Sequence, residues 1–121
     1  MATIAYPGNL QTAQTGNADS TNVIQRAGGE TNLRPAILRI VSTIGATPTV
    51  TIKILGSVDG VTFAKIPYSV LSAAAGDYST ADIVTTTAKT ELYELLPGQP
   101  WQFLKVNMSA NTNVTLTTDL L

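Results

Sequence analysis

From Thr49 to Leu55 the chain alternates residue by residue, with Val50, Ile52 and Ile54 pointing one way and Thr49, Thr51 and Lys53 the other. A period of two marks a half-buried strand. Gly56-Ser57-Val58-Asp59-Gly60 follows with turn chemistry, and Thr62 to Ile66 reads as the returning strand of a hairpin. Upstream, Leu33 to Ile44 is rich in β-formers. It carries Ala36, Leu38 and Ile40 on one face and Ile37 and Val41 on the other, which predicts a central strand. Downstream, Ile83 to Thr87 and Glu91 to Leu96 are shorter candidate strands. Pro97-Gly98-Gln99-Pro100 is a turn, because two prolines and a glycine do not fit inside a ladder. Trp101 to Ser109 places Leu104, Val106 and Met108 on one face; Ala110 to Asn113 turns the chain, and Val114 to Leu120 is a last strand. Pro67 to Ala75 is ambiguous, with Ala73-Ala74-Ala75 readable as a helical turn or an edge.

Short strands between regular turn signals, with no βαβ spacing, predict an all-β, single-domain antiparallel β-sandwich of the jelly-roll or immunoglobulin-like kind over residues 33–121. Val50, Ile52, Ile54, Leu104, Val106 and Met108 should share one core. Residues 1–32 differ: large apolar residues are sparse there (Ile4, Tyr6, Leu10, Val23, Ile24), and Pro7-Gly8 and Gly28-Gly29 interrupt the segment. It reads as an extended N-terminal arm or long loop. Ordering such an arm costs about 1–2 kcal/mol of backbone entropy per residue, more than its few apolar side chains return, so its backbone must find a strand edge or stay loose. On this reading Tyr6, Leu10, Val23 and Ile24 are anchors on a neighbouring subunit, and deleting residues 2–25 should leave the core folded.

Composition sharpens the picture. Of 121 residues 44% are apolar but only 12% are charged, and 19 threonines fill the polar positions. Thr suits a pleated surface, its branched Cβ packing while its hydroxyl meets water. A net charge of -1, with the seven basic residues scattered, gives no electrostatic reason to seek nucleic acid or an anionic membrane. No stretch approaches the roughly 20 apolar residues of a membrane helix, and the first residues lack the basic start and apolar run of a secretory signal. The absence of cysteine rules out a disulfide framework and fits folding in a reducing cytoplasm.

Candidate chemistry is thin. With no His and no Cys, the usual general base, thiol nucleophile and best transition-metal ligands are missing. Only a pair of carboxylates is left for catalysis, and Glu91 and Glu94 fall on opposite faces of a strand. Asp59-Gly60 lacks the alternating oxygen ligands of a calcium loop and reads as a turn; Asp77 and Asp82 read as polar loop residues rather than a cation site. The expectation is therefore a non-enzyme without cofactor or metal. Trp101 and Phe103, two apart, would share a strand face opposite Leu104 and Val106 and cover a sheet edge or a subunit contact. A sugar platform would require two or three aromatic rings coplanar and exposed.

The hairpin Val50-Thr51-Ile52-Lys53-Ile54-Leu55-Gly56-Ser57-Val58-Asp59-Gly60-Val61-Thr62-Phe63 resembles one that recurs in tailed-bacteriophage virion proteins: a V-x-V-x-L-x-G-S-type strand, then x-D-G and an aromatic. Trp101 to Ser109, with its Ala-Asn-Thr turn and Thr-rich last strand, resembles the closing hairpin of the same proteins. The short, cysteine-free, Thr-rich chain is similar to capsid decoration (cement) proteins. The resemblance spans about residues 48–66 and 100–118. It implies a β-sandwich that binds the major capsid protein on the exterior of the virion and often forms trimers over subunit junctions. It carries over no catalytic residue. The other expectation is a carbohydrate- or receptor-binding domain of a virion tail or fibre.

Overall fold

The structure, a computed structural model, describes residues 2–26, 36–71 and 77–121. The expected break at Gly28-Gly29, the strand start at Leu33 and the turn at Ala73-Ala74-Ala75 lie outside them. The described residues are all-β: β1 (Ala2–Ala5), β2 (Gly8–Gln14), β3 (Asn22–Gln25), β4 (Ile37–Ser57), β5 (Ala64–Lys65), β6 (Tyr68–Val70), β7 (Ile83–Thr85), β8 (Lys89–Leu95) and β9 (Phe103–Leu120). They form a single mixed sheet in which β1 and β3 run parallel, where a purely antiparallel arrangement had been expected.

Two long strands organise it. β4 and β9 pair antiparallel from Leu38 opposite Leu120 to Ser57 opposite Phe103, with register shifts between Ile44 and Thr51. The first half of β4 also pairs with β8, which carries β6, and β2 lies along the second half of β9. The second half of β4 pairs with β7 and β5, and β3 with β1 lies along the first half of β9. Each long strand thus serves two halves of one sheet.

The halves close on each other. A straight strand would hold Met108 and Thr118 roughly 33 Å apart. Yet the buried Gln11 amide nitrogen lies 3.7 Å from Met108 Sδ and 3.1 Å from Thr118 Oγ1. The ribbon therefore folds over at its middle, where Thr47, Ala110 and Asn113 take positive φ of 45°, 51° and 53°. Bulges of this kind turn a strand from one layer into another. Asn111 holds the bend, accepting from the Val114 N–H at 3.1 Å and donating to the Val114 and Thr15 carbonyls at 2.9 and 2.7 Å. Ala110 to Asn113 does redirect the chain, as the sequence predicts, but pairing continues through it.

Val50, Ile52, Ile54, Leu104, Val106 and Met108 are all buried in one core with Leu38, Ile40, Leu116 and Leu120, as the alternation predicts. The arm reading does not hold for the described part of residues 1–32. Leu10, Val23 and Ile24 are buried within this same chain, on strands that belong to the sheet. Backbone pairing along β9 provides what their few side chains do not.

Candidate contact surface

The loop between β4 and β5 is built around one serine and one aspartate. Ser57 Oγ donates to Asp59 Oδ1 at 2.8 Å and accepts from the N–H groups of Asp59 and Gly60 at 3.2 and 2.9 Å. Asp59 Oδ1 in turn accepts from the N–H groups of Val61 and Thr62, both at 2.8 Å. These backbone donors, that of Thr62 first, lower the Asp59 carboxyl to a pKa of about 2. Gly60 sits at φ +79°, and a Cβ there would meet the Phe103 ring at 3.3 Å, so the turn requires glycine.

The consequence is a fixed loop with two apolar side chains turned outward: Val58 is 62% exposed and Val61 83%. Against the loop opens a cleft of about 240 Å³, lined among others by Val58, Ala64, Ile66, Pro100 and Trp101. Its floor depends on Gly56, where any side chain would strike Ile66 and Trp101.

Trp101 itself is buried, not presented. It precedes β9, and the bend at Gln102 breaks the alternation that would have put it beside Phe103 on one face. The Arg26 guanidinium covers its ring, Cζ 3.6 Å from the centroid, and donates from Nε to the Trp101 carbonyl at 2.9 Å and from Nη2 to that of Gln99 at 3.0 Å. Phe103 is half-buried against Gly60. Beside it Lys105 Nζ sits 4.2 Å over the Phe63 ring and 2.8 Å from Asp19, and this lysine contact holds the Asp19 carboxyl below its usual range.

Of the six residues expected to make a contact, Leu10, Val23, Ile24 and Trp101 are core residues, because intramolecular strands and Arg26 cover them. Tyr6 is half-buried, its hydroxyl donating to the Leu121 carbonyl at 2.8 Å. Only Phe103 borders the exposed loop. Val58 and Val61 were missed, although the signal was present: two β-branched apolar residues flanking Asp-Gly in a turn have no core to face.

The remaining aromatic rings offer no open platform. Tyr68 packs edge-on against buried Tyr93, centroids 5.6 Å apart, and Tyr78 donates its hydroxyl to Glu94. Asp82, weighed as a cation ligand, lies 2.7 Å from Lys65 instead. Among the described residues no three His, Cys, Asp or Glu side chains are grouped to hold a metal ion. No family model, curated protein or solved structure matches this chain.

Proposed function

We propose that this chain is a non-enzymatic structural protein of a virus particle, a decoration protein that binds the assembled shell and bridges neighbouring major-capsid subunits from outside. The observation that carries the reading is the pair Val58 and Val61, held outward on a loop whose backbone is fixed by Ser57 and Asp59. An apolar group kept in water on a rigid loop is ready to bind without an ordering cost. The cleft beside it, with Pro100 and Ile66 in its walls, gives room for a complementary side chain. The hairpin that carries the loop is also the one that resembles virion proteins, and that resemblance supplies the partner.

The test is co-sedimentation of purified protein with assembled shells lacking it. Wild type should saturate at a fixed ratio to the shell protein, and Val61→Asp should lower the affinity at least tenfold. Equal binding by Val61→Asp would remove the loop from the contact, and no binding by wild type would end the decoration reading. The half-buried aromatics favour the shell over a glycan; specific retention on a glycan array would reverse that preference.

A further inference from the structure

The sheet's open edges are not alike. β2 carries two register shifts and a positive φ at Ala13. β5 ends in Lys65, and β7 follows Asp82, the two charges being paired at 2.7 Å. The outer backbone of β6 is taken by Ser79, which exchanges hydrogen bonds with Tyr68 at 2.9 and 2.8 Å. Bulges, charges and covering segments are the devices by which edge strands avoid pairing with other chains. β1, Ala2-Thr3-Ile4-Ala5, has none of them: it is uncharged, its pairing with β3 is unshifted, and among the described residues no second strand pairs with it.

Its hydrogen-bonding groups can be assigned. The Ala2 and Tyr6 N–H groups donate toward β3, to the Thr21 and Gln25 carbonyls at 3.3 and 3.1 Å. The period of two then turns the N–H and C=O of Thr3 and Ala5 to the open edge. We propose that this edge pairs antiparallel with the same edge of a second copy of the chain, about a twofold axis at Ile4. Thr3 of one copy then faces Ala5 of the other in a hydrogen-bonded pair, and both such pairs form by symmetry. Ile4 meets Ile4 of the second copy at the axis, covering the part of that half-buried side chain the core leaves open. No like charges meet, because the strand has none; this neutrality favours a second copy over a charged partner strand. β1 and β5 lie at opposite ends of their half of the sheet, so the pairing is independent of the proposed use of the 57–63 loop.

Disulfide trapping gives a specific test, since the chain contains no cysteine. Facing residues of a hydrogen-bonded pair have Cα atoms about 5.5 Å apart, within disulfide reach. Mixing Thr3→Cys with Ala5→Cys under mild oxidation should give the mixed covalent dimer much faster than Thr3→Cys alone, whose two thiols are offset along the strands. In sedimentation equilibrium Thr3→Pro, which removes an outward N–H and leaves the β3 ladder intact, should weaken dimerisation roughly tenfold or more, with an unchanged melting temperature when both proteins are dilute enough to be monomeric. A monomer at every concentration, or cross-linking no faster in the mixture than in Thr3→Cys alone, would overturn the proposal.

Discussion

Arg26 lies over the indole of Trp101, its Cζ 3.6 Å from the ring centroid, and the same guanidinium donates to the Trp101 carbonyl. The pair joins the end of β3 to the turn before β9, across 75 positions of sequence. Arg26 is only 6% exposed, so its charge is satisfied by carbonyls and a ring face rather than by water. Arg26→Ala should cost roughly 2–4 kcal/mol, the usual sum of a desolvated cation–π contact and charged hydrogen bonds. Arg26→Lys should recover little of that, because an ammonium lacks the planar fork. Denaturant midpoints of the three proteins check both statements.

Deletion of residues 2–25 is now expected to unfold the protein. It would remove β1, β2 and β3, strip the ladder from both halves of β9, and expose Leu104 and Leu116. A truncated chain that kept a cooperative melt near the wild-type temperature would contradict the integral placement of these strands.

Ile52 is 1% exposed in the second half of β4. Ile52→Ala should destabilise by about 2–5 kcal/mol, as buried truncations do. A change below about 1 kcal/mol in chemical denaturation would place this side chain outside the core.

The Asp59 loop should respond to acid in a defined direction. Its carboxyl is depressed from 3.8 to about 2, so the contribution of its hydrogen bonds is complete above the unfolded value and is lost as pH falls through about 2. The amide signals of Val61 and Thr62 should therefore titrate near pH 2 rather than near 4. In Asp59→Asn that transition should vanish, while the β4–β9 core signals stay in place.

The faces of β4 and β9 were legible because single apolar residues alternate with Thr, Lys and Asn on both strands. The continuity of those strands was not. Gly45, Pro48 and the Ala110 to Asn113 run carry turn chemistry, and here that chemistry bends a ladder without ending it. The N-terminal strands were hidden for a related reason. Leu10 and Gln11 are adjacent and both buried, as are Val23 and Ile24, so neither segment shows a period of two. At Leu10 the cause is a pair of register shifts against β9. The contact loop was half legible: Asp59-Gly60 announced the turn and its flanking valines had no core to face, but the hydrogen bonds that fix the loop are not encoded by spacing.

Because β4 and β9 each run through both halves of the sheet, neither half owns a complete set of strands. Opening either one strips partners from a strand the other still needs, so partial unfolding gains little chain freedom for the contacts it gives up. Amides at the two ends of β4, such as those of Leu38 and Ile54, should then exchange with solvent deuterium in a single shared event. A protein wired in this way has no soft half to give way first, and a pull on one edge is resisted by the whole molecule.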